Sequence, residues 1–466
     1  MIRILYSVLL TILAPFLLAW MGLRARRAGG RWQVLGRERF GRYPAPGLLP
    51  PGAIWVHAVS LGETRAAIPL VRALLARGYT VLLTHLTASG RAEGARVFAA
   101  ELAEGRMQQA WLPYDFPGAT RRFLQYFRPV LGVLIERELW PNLMHAARCQ
   151  QVPMMLASAR MSAASLRRTM RVHALLGPAY ASLARTYAQT LKDARRLEQA
   201  GATAVSVSGN FKFDLQQDAE QIRRGAAFGH ALGRRIVIIA STREGEDERF
   251  VRQIRHQLDR TRDQCLECDP QVLFILVPRH PQRFESAARL LQSEGLNFVR
   301  RTALQSLGEG CSSMLAACRD VDVILGDTLG EMAWYYACSQ VAIVGGSFAP
   351  LGGQNFIEAS ALGCPVLVGP HTAHFEQAVA DALQAGAIAR AADPAHAVRQ
   401  ALQWLDEPTE LNHMGQAARH WVGQHSGAVQ RVLDGIEDLL QQRAVPRPAW
   451  VPRQGLGPQG RAPRAS

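Results

Sequence analysis

Val56-His57-Ala58-Val59-Ser60-Leu61-Gly62-Glu63-Thr64 runs from an apolar, β-branched stretch through a small-residue turn into a helical pattern. Val341-Ala342-Ile343-Val344-Gly345-Gly346-Ser347, followed by Gly352-Gly353-Gln354-Asn355-Phe356-Ile357-Glu358, repeats that grammar in the other half of the chain. Turns of this kind line the carboxyl edge of parallel sheets, where ligands bind. The first offers a carboxylate, Glu63, at a helix start. The second offers glycines, an amide and a carboxylate suited to a nucleotide. An acid/base group facing a nucleotide pocket points to group transfer from an activated donor.

Strands and helices alternate outward from both stretches. In the first half, apolar runs predict strands over 53–59, 80–86, 130–135, 152–157 and 205–208, with helices over 63–77, 90–102 and 118–127. After a polar, glycine-containing stretch near 215–233, with an inter-domain linker expected near 225–233, the pattern restarts. It predicts strands over 235–240, 272–277, 322–325, 341–344 and 365–368, and a helix over 246–258. This alternation implies an α/β protein with two Rossmann-like parallel-sheet domains and a cleft between them. The expected division is an anchor over 1–23, a basic membrane-proximal segment over 24–50, a first domain over 51–228 and a second over 229–421. A closing helix over 422–442 and a disordered basic tail over 443–466 complete it.

The net charge of +15 is concentrated at the ends of the chain. Residues 1–42 hold eight arginines against the single acid Glu38, and residues 443–466 hold five arginines and no acid. Terminal basic charge favours an anionic membrane surface over a nucleic-acid groove. Ile4 to Leu23 is uncharged and apolar, and twenty helical residues cover about 30 Å, the thickness of a bilayer core. Arg24, Arg26 and Arg27 follow it, with only Arg3 before it. That asymmetry keeps the rest of the chain on the cytoplasmic side. No clear small-x-small cleavage site precedes these arginines, so an uncleaved anchor is expected, spanning or partly interfacial, with Pro15 as a kink site. The mixture of Trp32, Val34, Leu35 and Phe40 with arginines over 31–43 reads as a membrane-surface segment.

Seven cysteines form no framework, and Cys265 and Cys268 are expected to be ordinary thiols. P-loop and H-E-x-x-H signatures are absent from the sequence, and the one G-x-G-x-x-G spacing, at Gly455, Gly457 and Gly460, lies in the tail without a strand before it. His280, His371 and His374 make no coherent ligand set, so no metal is expected.

With these features goes a set of ordered motifs. They are Arg37-Glu38-Arg39-Phe40-Gly41, the 57–63 stretch, Leu112-Pro113-Tyr114-Asp115, Glu138-Leu139-Trp140-Pro141-Asn142 and Ser158-Ala159-Arg160-Met161-Ser162. Gly209-Asn210-Phe211-Lys212-Phe213-Asp214, Pro278-Arg279-His280-Pro281, Asp327-Thr328-Leu329-Gly330-Glu331-Met332 and the 345–358 stretch continue the series. In order and spacing the chain resembles the 3-deoxy-D-manno-octulosonic acid (Kdo) transferases of lipopolysaccharide synthesis, from residue 37 to about 435. The resemblance implies a GT-B glycosyltransferase fold, CMP-Kdo as donor and a lipid A precursor (lipid IVA) as acceptor. It implies an inverting transfer without cofactor or metal at the cytoplasmic face of the Gram-negative inner membrane. Anionic inner-membrane lipids would be partners and nucleic acid would not.

Two positions depart from the family pattern. Arg137 stands where a threonine is usual, on the acceptor side, and Arg243 stands where a histidine is usual, near the donor phosphate. Read alone, Glu63 fits either a general base or an acid that complements a helix dipole. The resemblance selects the base. Glu138 either orients an acceptor sugar or satisfies nearby backbone, and Arg160 is a candidate for an acceptor phosphate. Ser241, Thr242, Arg279, Gly330, Glu331, Met332, Asn355 and Glu358 are expected to bind the CMP moiety, with Glu358 on the ribose hydroxyls. Lys212 is a candidate for the Kdo carboxylate. The competing readings are another membrane-associated GT-B nucleotide-sugar transferase or epimerase, and a membrane-tethered basic binding module.

Overall fold

The computed structural model of the chain describes residues 1–27, 33–44, 49, 51–214, 217–264, 272–307 and 312–443. Two compact units separate: Met1–Leu215 with Ser426–Ser466, and Gln216–His425. In the first unit, among the described residues, seven strands form one sheet: β1 (Ile54–His57), β2 (Val81–His85), β3 (Met107–Trp111), β4 (Leu131–Ile135), β5 (Met154–Ala159), β6 (Arg185–Ala188) and β7 (Val205–Val207), in the order β3-β2-β1-β4-β5-β6-β7. In the second, β8 (Ile236–Thr242), β9 (Leu273–Pro278), β10 (Phe298–Arg300), β11 (Val323–Leu325), β12 (Val341–Val344), β13 (Val366–Val368) and β14 (Ile388–Arg390) are arranged β10-β11-β9-β8-β12-β13-β14. All neighbouring strands pair in parallel.

A parallel sheet is covered by helices on both faces, so its central strands read as unbroken apolar runs. Ile54-Trp55-Val56-His57 is wholly buried, as is Ile236 to Ala240. Successive side chains go to opposite faces. Ile54 and Val56 pack with Leu70 and Leu74 of helix α2 (Leu61–Ala76) and with Val432 and Ile436 of the helix Ala428–Gln442. Trp55 goes to the other face, with Phe123 and Leu143. The two-sheet α/β architecture expected from the alternation is the one observed.

The structure adds β3, β6, β10 and β14. Three of these are sheet edges, and β6 lies beside the edge strand β7. Met107-Gln108-Gln109-Ala110-Trp111 and Arg185-Thr186-Tyr187-Ala188 carry the polar residues that a strand near an edge tolerates. That removes the apolar run by which the central strands are recognised.

The unit boundaries also differ from the expected division. The stretch near 225–233 is not a linker: Ala219–Leu232 is a helix of the second unit. Its glycines serve close packing. A Cβ on Gly225 would fall 2.4 Å from the Trp334 carbonyl oxygen, and one on Gly229 would fall 2.9 Å from that of Cys338. The expected closing helix is two. Pro408–His425 ends in the second unit, and Ala428–Gln442 belongs to the first, with the break at Gly427, whose φ is 88°. Asp214 fixes that break by accepting the Gly427 and Val429 N–H groups, both at 2.6 Å. Of the expected tail only Arg443 is described, and it donates to the Gln151 carbonyl. Cys265 and Cys268 lie outside the described residues.

Helix α1 (Ile2–Arg27) runs through Pro15. Its apolar part, Ile2–Leu23, is long and apolar enough to cross a membrane. The segment after it is not a free basic surface. Arg39, in the short 3-10 turn Arg37–Phe40, is buried. Its guanidinium stacks 4.1 Å over the Trp111 ring and donates to the Leu86 carbonyl at 2.8 Å. Glu38 accepts the Trp111 N–H at 2.8 Å, so the segment seals the edge strand β3. Arg37 and Arg42 remain exposed. Arg39→Ala should therefore cost about 2–4 kcal/mol, from a lost charged hydrogen bond and a desolvated cation–π contact. Urea denaturation reads this directly, and an unchanged midpoint would show that the segment is not part of the folded unit.

Candidate active site

In each sheet the strand order reverses beside one central strand, between β1 and β4 and between β8 and β12. Loops leaving the carboxyl ends on either side of such a reversal diverge and open a crevice. The residues singled out in the first half gather at this edge of the first sheet. Glu63 follows β1, Glu136 and Glu138 follow β4, Arg160 follows β5, and Lys212 follows β7.

Glu63 is held by its own helix start. Ser60 caps α2 and accepts the Glu63 N–H, while the Glu63 carboxylate accepts the Val59 N–H at 2.7 Å and the Ser60 hydroxyl at 3.2 Å. The Ser60 half is the usual cap of a Ser-x-x-Glu sequence, but the return bond from Glu63 goes to the N–H of Val59, one residue before the cap. A carboxylate has about four acceptor positions, so this bonding leaves room for a proton. Burial first, and then the like charges of Glu136 and Glu138, push the carboxyl up to about 7, against the Val59 N–H that favours the charged form.

Burial also raises Glu138, with Arg137 opposing and Glu136 adding. It lowers the Lys212 ammonium, with Glu136 opposing and Arg160 adding. Glu136, which sequence reasoning did not single out, is thus a charge felt by Glu63, Glu138 and Lys212. Its φ of 63° is one of a few positive values outside glycine. Ser158 shares that strain at the end of β5 (φ 49°), where its carbonyl accepts from Gln189, which in turn accepts from Asn210. Such backbone is sparsely populated and concentrates at functional sites. Arg137, the departure from the family pattern, points to the surface and donates to Ser165.

In the second unit Ser241, one residue before the end of β8, has a φ of 57°, and Thr242 beside it is buried. Glu246 holds this turn. It is fully buried and accepts three backbone N–H groups: Arg243 at 2.8 Å, Gly346 at 2.6 Å and Phe348 at 2.9 Å. It thereby ties the loop after β8 to the loop after β12. Gly345 is required there, because a Cβ would fall 2.7 Å from the Thr242 Cα. Sequence reasoning passed over Glu246. Its spacing from Arg243 is that of a capping acid, but it sits among Glu244, Asp247 and Glu248, and nothing in the sequence marks which is buried.

Arg279 follows β9. Its backbone N–H donates to the Thr242 carbonyl and its Nε donates to Gln354 at 3.2 Å. Asn355 donates to the Glu358 carboxylate at 2.8 Å and accepts the Ile357 N–H. Gly330 (φ 83°) and Met332 flank Glu331 after β11. The Glu331 carboxylate is taken up by the fully buried Arg301 at 2.9 Å and by Thr328 at 2.5 Å. Arg301 in turn stacks 3.8 Å over Trp334. The Glu331 carboxylate is therefore taken up by internal partners. Arg243 pairs with Glu244 at 3.0 Å. Among the described residues no cluster of His, Cys, Asp and Glu has metal-binding geometry.

The sequence model for 3-Deoxy-D-manno-octulosonic-acid transferase (kdotransferase) matches residues 36–215. The 3-deoxy-D-manno-octulosonic acid transferase of Bordetella pertussis is 53% identical over 437 residues, covering 93% of this chain and 99% of the relative. The chain belongs to the Kdo transferase family. The family's Haemophilus influenzae representative is 31% identical over 94% of this chain and 99% of its own length. The solved UDP-GlcNAc 2-epimerase of Neisseria meningitidis, 14% identical, superposes with a TM-score of 0.53 over 83% of this chain and all of its own. At that identity the likeness speaks for the shared GT-B fold alone. Family membership makes the chain a glycosyltransferase, a Kdo transferase, and sets aside the epimerase and binding-module readings.

The environment of Glu63 gives a direct expectation. A carboxyl-carbon NMR titration should find its midpoint near pH 7, and Glu136→Gln or Glu138→Gln should lower it by removing a like charge. A midpoint near 4.5 that neither substitution moves would contradict the burial described here.

Proposed function

We propose that the chain transfers Kdo from CMP-Kdo to a lipid A precursor, lipid IVA, with inversion, at the cytoplasmic face of the inner membrane, and that Glu63 is the general base. The observation that carries this reading is the Glu63 carboxyl, pushed up to about 7 at the β1–β4 reversal in a chain of this family. A base works best when its pKa lies near the working pH. An acceptor hydroxyl loses its proton to Glu63 as its oxygen bonds to the anomeric carbon of Kdo. The bond from that carbon to the CMP phosphate oxygen breaks on the opposite side, and CMP leaves with the electron pair.

The other roles follow from chemistry and position. Glu138 and Arg160, on the same sheet edge as Glu63, meet the acceptor sugar and its phosphate. Lys212, half-buried near Glu136 and Arg160, is suited to the Kdo carboxylate. In the second unit, Ser241, Thr242 and Arg279 take the CMP phosphate, and the backbone of Gly330, Glu331 and Met332 contributes to the nucleotide pocket. Glu358, oriented by Asn355, accepts the ribose hydroxyls. No metal is required in this scheme, because arginine and backbone N–H groups carry the charge of the leaving phosphate. Membrane attachment through α1 brings the enzyme to an acceptor whose acyl chains stay in the bilayer.

Glu63→Gln should lower turnover by about two to four orders of magnitude while leaving CMP affinity unchanged. Near-normal turnover would remove Glu63 from the mechanism. In the parent enzyme the ionised, proton-accepting form of Glu63 grows as pH rises through 7. The rate at subsaturating acceptor should therefore climb between pH 6 and 8 and level off above, and the Gln variant should lose that limb. Glu358→Ala should weaken CMP by about 1–3 kcal/mol in calorimetry, the cost of hydroxyls left without an acceptor. Unchanged CMP affinity in a folded variant would refute the ribose assignment.

A further inference from the structure

Helix α1 is fastened to the first unit by its first two turns. Asp115, in the loop after β3, is buried, and its carboxylate accepts the N–H groups of Asn142 (3.0 Å) and Leu143 (2.8 Å) at the start of the helix Pro141–Cys149. The same carboxylate accepts the Tyr6 hydroxyl at 3.1 Å. Asn142 returns its side-chain amide to the Asp115 carbonyl, and its oxygen accepts both Arg3 and the Ser7 hydroxyl at 2.9 Å. Residues 3, 6 and 7 share one face of a helix. Burial pushes the Asp115 carboxyl up to about 6, with the Asn142 and Leu143 N–H groups opposing. Beyond Thr11 the sequence holds no charged residue until Arg24, and the apolar side chains there face outward: Ile12 is 63% and Phe16 74% exposed.

The other end of α1 returns to the same unit. Gln33, six residues past Arg27, accepts the Trp111 indole N–H at 2.7 Å. Six residues reach at most about 21 Å when fully extended. A hydrocarbon core is about 30 Å thick. With Arg3, Tyr6 and Ser7 bonded to the folded unit at one end and Gln33 bonded to it at the other, the chain cannot cross the core and come back.

We propose that α1 does not span the bilayer. It lies in the plane of one leaflet of anionic phospholipid, with both ends on the face that carries the folded units, and the Asp115–Asn142 pair latches its amino-terminal end. This rests on the membrane attachment proposed above and replaces a spanning anchor with a monotopic one.

The test uses the full chain with a short epitope tag before Met1, in sealed inner-membrane vesicles of both orientations. Protease added to inside-out vesicles should remove the tag together with the folded units, and right-side-out vesicles should protect both. A tag that survives in inside-out vesicles while the folded units are digested means a spanning helix and overturns the proposal. The latch is tested by Arg3→Ala, Tyr6→Phe and Ser7→Ala combined, which leaves the folded unit's own hydrogen bonds in place. These changes also remove the charge preceding the helix, so the positive-inside bias acts alone. The protected fraction in inside-out vesicles should then rise from a minority to a majority. No rise would overturn the latch. Recovery of the parent chain wholly in the soluble fraction would overturn membrane attachment itself, a result distinct from either topology.

Discussion

Parallel pairing is the constraint on which the rest of the structure depends. When every strand of a sheet runs the same way, every strand's carboxyl end comes to one edge, and the loops that leave it are the only backbone there. Reversal of strand order at β1–β4 and at β8–β12 then decides which of those loops part company. Glu63, Glu136, Glu138, Arg160 and Lys212 lie far apart in sequence, yet all follow a strand of one sheet. Ser241, Arg279, Gly345 and Glu358 do the same in the other. In each unit the candidate residues are gathered at one sheet edge by topology before any side chain has been considered.

Within that frame, carboxylates divide by what is left for them to accept. Glu246 is saturated by three backbone N–H groups and works as a brace between two loops. Glu331 is neutralised by a buried arginine. Asp115 caps one helix and fastens another. Glu63 also caps its helix, but it faces two like charges instead of a cation, and burial weakens its hold on the ionised form. A group so placed is poised to exchange a proton near neutral pH, the property on which the proposed base role of Glu63 rests. The difference between a brace and a base is set by neighbours and solvent access.

Helix α1 adds a second constraint of length. A long apolar helix is usually assigned to a span by composition alone. Here its first two turns hydrogen-bond to the first unit through Arg3, Tyr6 and Ser7, and Gln33, six residues past its end, bonds to the same unit, so packing as well as hydropathy bears on how it is used.

Much was legible in the sequence. The central strands could be recognised because burial on both faces forces continuous β-branched runs, and the small-residue turn before Glu63 marked a helix start, which the structure places two residues earlier, at Leu61, capped by Ser60. Order and spacing of short motifs identified the family. What escaped reading were elements whose local sequence contradicts their place. The strands β3, β6, β10 and β14 escaped because positions at or near an edge need no apolar run. The glycines of Ala219–Leu232 signal a linker until their packing against the helix Met332–Cys338 is seen. Residue type and periodicity, which depend on near neighbours along the chain, determined the elements and the chemistry available. Burial of Glu246 and Arg301, the shift of Glu63 and the fastening of α1 depend on groups from remote segments meeting in a low-dielectric interior, and only the tertiary structure decides those meetings.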